Sequence, residues 1–190
     1  IFRGGFTREA AQQIAGAGLP ALTGLMRKSL LQRVETEGNE RFQIHELLRQ
    51  FAAEQLDAEP QAEQEVRRQH ATYYLPWLAA HYADMIGPGS TATFLAIESE
   101  LGNINTAWLW AVEEREAALL DAALVSLHHF YSLKGRAPEG SALFERAATR
   151  LGEQPSDEVH TLSLWRIRTF QSALLIETAE FEHARTLLEA

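Results

Sequence analysis

The chain has 190 residues, of which 46% are hydrophobic and 23% charged, and its formal net charge is -9. This composition excludes an intrinsically disordered chain and suffices for one or two packed cores. The absence of cysteine excludes disulfides and thiolate metal sites. No apolar run approaches the roughly 20 residues of a transmembrane helix, so we expect a cytoplasmic protein that has no membrane partner.

The chain begins with two predicted helices. Thr7 is a suitable N-cap for a short helix, which the glycine at Gly16 would end. A second helix is predicted after Pro20, because apolar residues then recur at helical spacing. The apolar residues that share its face are Leu22, Leu25 and Met26.

A β-hairpin and a third helix are predicted next. Residues 31–34 and 41–44 alternate apolar with polar side chains around a turn at 37–40, which is typical of two paired strands. His45 then opens a helix with an apolar stripe that we expect to be buried. This stripe comprises Leu47, Leu48, Phe51, Ala52 and Leu56. The order helix, helix, hairpin, helix predicts a winged-helix domain over residues 1–57.

Residues 58–86 are predicted to connect this domain to the rest of the chain. After Pro60 a long helix is expected from about residue 61 to 85, anchored by apolar and aromatic side chains. These anchors are Tyr73, Tyr74, Trp77, Leu78 and Tyr82. Pro76 is expected to kink the helix or split it into two.

Residues 87–190 are predicted to form an array of helical hairpins. The pattern favours helices over 91–101, 103–114, 116–133, 138–151, 156–176 and 180–190, and the short breaks between them imply antiparallel neighbours. Gly140 and Phe144 have the spacing of Ala184 and Leu188, at an offset of about 44 residues. This arrangement is similar to the second helix of tetratricopeptide repeats, whose usual period is about 34 residues. The predicted fold class is therefore mainly α: a winged helix with a small β-hairpin, followed by a tetratricopeptide-like superhelix.

Three segments resemble the winged-helix region of bacterial STAND ATPases of the NB-ARC type, including those attached to LuxR-like and AfsR-like regulators. They are 2–7 (FRGGFT), 25–31 (LMRKSLL) and 41–51 (RFQIHELLRQF). Two more segments, 70–74 (HATYY) and 100–108 (ELGNINTAW), look like the segment that joins that domain to a tetratricopeptide-like sensor array. We expect the chain to be part of a longer protein, because it lacks a starting Met and its last residues still read as helix.

The resemblance gives His45 a role. Ile44-His45-Glu46 occupies the place of the family's Met-His-Asp motif, which implies that His45 contacts the β-phosphate of ADP and holds the resting state. The residues alone leave other roles open, since a histidine at this junction can also cap the helix or bind a carbonyl. No phosphate-binding loop occurs in the chain. We therefore expect no cofactor here, and ADP or ATP with magnesium in the parent protein.

Other chemistry has little support in the sequence. His128 and His129 are adjacent on a predicted helix, so they point to different faces and do not form a metal site. Direct DNA binding is disfavoured because the second helix offers only Arg27 and Lys28, and the wing carries Glu35, Glu37 and Glu40. A hydrolase would need a nucleophile beside an acid or base, and no such arrangement stands out.

Our main hypothesis is a non-enzymatic regulatory and protein-interaction module. Its winged helix would contact a preceding nucleotide-binding domain through His45, and its helical array would bind an inducer or a protein partner. The aromatic residues Trp108, Trp110, Phe130, Tyr131 and Trp165 either line a groove in that array or belong to its core. The alternative is a winged-helix DNA-binding transcriptional regulator.

Overall fold

The chain is mainly helical and carries one small β-hairpin, as predicted. A computed structural model describes residues 1–36, 39–153 and 157–189, and within these ranges there are ten helices and one two-stranded antiparallel sheet. The elements are α1 (Arg8–Ala15), α2 (Leu19–Arg27), β1 (Gln32–Thr36), β2 (Asn39–Gln43), α3 (Glu46–Asp57), α4 (Pro60–Ala80), α5 (Tyr82–Met85), α6 (Ser90–Glu113), α7 (Ala117–Leu133), α8 (Ala137–Gly152), α9 (Glu158–Glu177) and α10 (Phe181–Glu189).

Two compact units make up the chain. The first contains Ile1–Tyr74 and Glu98–Ala107, and the second contains Leu75–Ile97 and Trp108–Ala190. Helices α4 and α6 therefore contribute residues to both units.

The start of the first unit follows the predicted signals. Thr7 caps α1, because its Oγ1 accepts a hydrogen bond from the Ala10 amide at 3.1 Å. Gly16 ends the helix with a φ of 61°, a conformation that favours glycine. Strand β1 pairs antiparallel with β2, so Asn39 and Glu40 lie in the strand rather than in the predicted turn. The remaining turn residues, Glu37 and Gly38, lie outside the described ranges.

An additional strand contact precedes α1. Phe6 and Phe42 exchange two backbone hydrogen bonds, of 2.9 and 2.8 Å, as an isolated antiparallel bridge. Both side chains are buried, as are Ile14 of α1 and Leu22 of α2. These four apolar side chains belong to the core of the first unit.

The predicted burial of the α3 stripe is wrong. No residue of α3 is buried, and Leu47 and Phe51 are 68% and 60% exposed. The apolar periodicity is present, but within the described residues nothing packs over this face closely enough to cover it. Amphipathic spacing shows that a face is apolar, and it does not show what covers that face.

The long predicted helix is not split at Pro76, one of the two outcomes expected there, and a second predicted break is absent. Helix α4 runs through Pro76 and ends at Ala80, and α5 begins after His81. Helix α6 is continuous through Gly102, where a break between two helices was expected. A Cβ at Gly102 would lie 3.0 Å from the carbonyl oxygen of Arg3, so this glycine permits close approach of two backbones instead of ending the helix.

The second unit contains two helical hairpins, hairpin 1 (α7–α8) and hairpin 2 (α9–α10). Helix α9 packs against α7, α8 and α10, and α7 packs against α8. Gly140 of α8 allows this packing, since a Cβ there would lie 2.8 Å from both Leu174 Cδ1 and Tyr131 Cβ. Of the predicted helix limits in this region, residues 156 and 190 lie outside the described ranges.

The 44-residue offset relates the two hairpins in detail. The turns of both hairpins contain a residue of positive φ at equivalent positions, Gly135 at 65° and Ala179 at 63°. Five buried positions of α7 match buried positions of α9, namely 120 with 164, 123 with 167, 127 with 171, 130 with 174 and 131 with 175. One match changes chemistry, because Leu127 is replaced by Gln171. The Gln171 side chain is fully buried, and the described residues give neither of its amide atoms a hydrogen bond.

Candidate functional site around His45

His45 lies on the surface, between β2 and α3. It is the N-cap residue of α3, with a φ of -59° and a ψ of 139°, and its side chain is exposed. Its Nδ1 accepts a long hydrogen bond of 3.4 Å from the Leu47 amide. A neutral imidazole that accepts at Nδ1 carries its proton on Nε2, which can then donate to an acceptor outside the chain.

Glu46 fixes the first turn of α3. Its carboxylate accepts hydrogen bonds from Arg49 Nε at 2.7 Å and Nη2 at 2.5 Å, and from Gln50 Nε2 at 3.1 Å. These bonds from Arg49 and then Gln50 lower the pKa of Glu46 to about 2. An ionised carboxylate in the first turn also complements the helix dipole. The acid next to His45 therefore stabilises α3 itself.

A surface pocket of about 240 Å³ with both polar and apolar walls adjoins this junction. Its walls come from the segment before α1 and from the start of α3, and they include Arg3, Gln43, Glu46 and Arg49. The positive end of the α3 dipole lies at the same place, because His45 is its N-cap. Because Arg49 is paired with Glu46, Arg3 and the helix dipole are the features of this pocket that favour an anion.

An apolar groove of about 450 Å³ runs along α3. It is lined by Leu25, Leu30, Leu31, Leu48 and Phe51 with neighbouring side chains. Leu25 and Leu30 are each 37% exposed. Ile44 lines both this groove and the pocket described above, and His45 is the next residue in the chain.

A buried polar network holds the chain segment that forms one wall of the pocket. The guanidinium of Arg41 pairs with Glu100 and also donates to the Ser99 carbonyl at 3.0 Å. The amide of Asn103 donates to Glu100 at 2.8 Å and to the Gly5 carbonyl at 2.8 Å, and its oxygen accepts from the Arg3 amide at 2.7 Å. Residues of α6 thereby hold the segment that lines the pocket.

His70 is a buried residue that packs against aromatic side chains beside this network. It is 1% exposed, and its ring lies 5.7 Å from that of Phe2 and 4.7 Å from that of Tyr74. Burial lowers the pKa of His70 to about 3, so the ring is neutral at physiological pH. Burial also raises the pKa of the Tyr74 hydroxyl, with the Glu100 charge as a second cause.

The candidate residues of the helical array are mostly core. Trp108, Phe130 and Tyr131 are buried, whereas Trp110 is half-buried and Trp165 is 44% exposed. Within the described ranges there is no group of three or more potential metal ligands. In the same part of the chain, no helix combines the length and apolar character needed to cross a membrane.

The sequence analysis predicted a role for His45, which stays a prediction, and it did not predict the residues that surround it in the structure. Arg41, Glu100 and Asn103 are far apart in the chain, and the Arg3–Asn103 bond joins residues separated by 100 positions. Glu100 and Asn103 lie one helical turn apart, but polar neighbours such as Glu98, Ser99 and Asn105 leave them without a distinguishing local signal.

No family model, curated protein or solved structure matches the chain.

Proposed function

We propose that the chain is a non-catalytic regulatory module of a signalling ATPase of the STAND type. In this proposal residues 1–57 act as a winged helix that holds the ADP-bound resting state of a preceding nucleotide-binding domain. Residues 87–190 act as a tetratricopeptide-like array that receives an inducer or a protein partner. The nucleotide and its magnesium ion would bind mainly to the preceding domain.

The observation that carries the proposal is the exposed imidazole of His45 at the start of α3. Its Nδ1 contact with the Leu47 amide leaves Nε2 as the donor, which is what a phosphate oxygen requires. The helix dipole and Arg3 of the adjoining pocket favour negative charge at the same place, whereas the charge of Arg49 is balanced by Glu46. The resemblance of residues 44–46 to the Met-His-Asp motif supports the same role.

The order of the elements supports the winged-helix part of the proposal. Two helices, a two-stranded hairpin and a third helix follow one another over residues 8–57. The pairing of hairpins 1 and 2 at an offset of 44 residues supports a repeat array in the second unit.

The test compares ADP retention by the parent protein with and without His45→Ala. A hydrogen bond to a charged group contributes about 1.5–3 kcal/mol, so we expect ADP to bind roughly ten- to a hundredfold more weakly in the variant. Basal activity should rise because the resting state is lost. ADP is measured by chromatography after denaturation of the purified protein.

His183→Ala is the matched control, because His183 is also exposed but lies on α10. It should leave ADP retention unchanged. Equal retention in the His45 variant and the original protein would contradict the role of His45. ATP hydrolysis by the 190-residue chain alone would contradict the non-catalytic assignment.

No structural observation favours the alternative of a DNA-binding regulator. Helix α3 exposes the carboxylates of Glu46, Glu54 and Asp57 and carries one arginine, Arg49. DNA affinity depends on cations that reach phosphates and falls steeply with salt. Duplex binding by the chain with such a salt dependence would support the alternative over our proposal.

A further inference from the structure

The irregular segment before α1 packs against the buried ring of His70. We call residues 2–5 the pocket segment, because all four line the pocket beside His45. The ring of Phe2 lies 4.3 Å from that of Phe6 and 5.7 Å from that of His70. His70 belongs to α4 and is 1% exposed. Phe2 is thus one of the side chains that keep the imidazole from solvent.

Two hydrogen bonds attach the pocket segment to α6. The Arg3 amide donates to Asn103 Oδ1 at 2.7 Å, and Asn103 Nδ2 donates to the Gly5 carbonyl at 2.8 Å. Gly4 and Gly5 have φ values of 78° and 94°, which favour glycine, and they connect the segment to the β-bridge at Phe6. Rotation about these glycines frees the segment and leaves the bridge in place.

The surroundings of His70 suit a neutral ring. Its Nε2 is buried and has no hydrogen bond to the described residues, whereas a protonated imidazole donates from both nitrogens. Burial lowers the pKa of His70 to about 3, and the charges of the Ile1 amino group and Arg67 lower it further against an opposing hydrogen bond with Asn103. Protonation of the ring in place would leave a buried N–H without an acceptor.

The other ionisable groups beside the ring do not compensate such a charge. Glu100 of α6 is already paired with Arg41 of β2 and accepts a hydrogen bond from Asn103. The ring of Tyr74 lies 4.7 Å from that of His70, and burial raises the pKa of its hydroxyl, so it stays neutral. Water must therefore solvate the proton. The pocket segment lies outside helices and strands, so its displacement breaks fewer backbone hydrogen bonds than displacement of α4 or α6.

We propose that protonation of His70 releases the pocket segment and so removes one wall of the pocket beside His45. An open ring titrates near 6.5, whereas the closed ring stays neutral down to about pH 3. Each pH unit below about 6.5 therefore favours the open state roughly tenfold. Arg3 moves with the segment, so acidification also takes its charge out of the pocket. The switch involves no nucleotide, and its test is independent of the function proposed above.

Hydrogen exchange of the Arg3 amide, measured by NMR on the 190-residue chain, reports opening because its bond to Asn103 requires the closed segment. The α-amino group is acetylated, since burial also lowers the pKa of the Ile1 amino group, which would otherwise titrate as well. After correction for intrinsic exchange, we expect protection to fall about 30-fold from pH 7.5 to pH 5. The Ala71 amide in α4 should be the more protected at both pH values, because it exchanges only when the unit unfolds.

Two variants test the role of the ring. His70→Gln keeps a hydrogen-bonding side chain but does not titrate, so protection of the Arg3 amide should change less than about twofold over this pH range. Phe2→Ala should lower that protection already at pH 7.5, because it removes an apolar contact of the segment. It should also reduce the pH dependence, since the closed ring would be less buried.

His45→Asn is the matched control. His45 is an exposed histidine of the same unit beside the same pocket, and asparagine retains an oxygen that can cap α3. This variant should keep the 30-fold fall in protection of the Arg3 amide. Loss of the pH dependence in this variant would assign the switch to His45 instead of His70.

Three further results would overturn the proposal. The first is a fall of less than about threefold in the original chain. The second is the same fall in His70→Gln, which would show that another group titrates. The third is equal protection of the Arg3 and Ala71 amides, which would show that the pocket segment opens only when the whole unit unfolds.

Discussion

At the scale of single residues, the carboxylate of Glu100 lies in a buried ion pair of the first unit. Glu100 and Arg41 each have side chains that are 6% exposed, and both belong to the network that holds the pocket segment. A buried ion pair adds little net stability compared with apolar residues, but removal of one partner leaves an uncompensated charge. The network therefore makes the unit sensitive to either substitution.

We predict that Glu100→Gln lowers the free energy of unfolding of the first unit by about 3–5 kcal/mol. All four tryptophans lie in the second unit. The suitable measurement is therefore hydrogen exchange of buried first-unit amides such as those of Phe42 and Ala71. Glu98→Gln is the control, because Glu98 is exposed on the same helix, and it should change stability by less than about 0.5 kcal/mol. Equal protection in both variants would contradict this assignment.

His70 should make the stability of the first unit depend on pH. Burial lowers its folded-state pKa to about 3, whereas an unfolded histidine titrates near 6.5. Between these values the unfolded chain binds a proton that the folded chain does not, so stability falls as the pH drops below about 6.5. The slope is about 1.4 kcal/mol per pH unit.

The variant His70→Gln tests this dependence. From pH 7.5 to pH 5 the original chain should lose about 2 kcal/mol more than the variant, because the variant has no imidazole to protonate. Hydrogen exchange of the same amides, corrected for the intrinsic effect of pH on exchange, gives both stabilities. Parallel losses in the two proteins would show that His70 is not the titrating group.

At the scale of the elements, the turns between antiparallel helices share one conformation. Gly135 and Ala179 occupy equivalent places with φ near 65°, and Arg115 has a φ of 59° between α6 and α7. This left-handed region costs a non-glycine residue about 1–2 kcal/mol. Hairpin 2 therefore carries strain at Ala179 that hairpin 1 avoids.

We predict that Ala179→Gly stabilises the second unit by about 0.5–1 kcal/mol, since the relief of strain exceeds the entropy that glycine adds to the unfolded chain. Gly135→Ala serves as the reciprocal control and should destabilise it by about 1 kcal/mol. No atom lies within 4 Å of a Cβ at Gly135, so the cost there is conformational and not steric. Urea unfolding followed by tryptophan fluorescence measures both, and shifts of the same sign would refute the argument.

At the scale of the whole molecule, local sequence patterns predicted the helices and strands better than they predicted which faces of those elements are buried. The cap at Thr7, the hairpin and the helices after residue 115 follow from spacing and turn residues, which act over a few positions. The continuity of α6 through Gly102 was not predicted, because the reason lies in the distant backbone of Arg3. The exposure of α3 was missed for a related reason, since periodicity does not identify a partner.

The candidate site also contains one part that a local pattern predicted and another that depends on the fold. The role of His45 was predicted from its neighbours in the chain and from a family resemblance and stays a prediction, whereas the helix predicted to open at His45 is confirmed. The pocket beside it depends on Arg3, Arg41 and Asn103, which only the fold brings together. No local sequence pattern contains that information.

The replacement of Leu127 by Gln171 distinguishes the expected stabilities of hairpins 1 and 2. Where successive hairpins contact mainly their neighbours, each hairpin contributes its own share of the stability. Within the described residues, the buried side-chain amide of Gln171 has no hydrogen bond, and Ala179 has a positive φ. Local opening should therefore begin in hairpin 2 before hairpin 1. A ligand that binds hairpin 2 would then act by suppressing this opening, without any change in the shape of the unit.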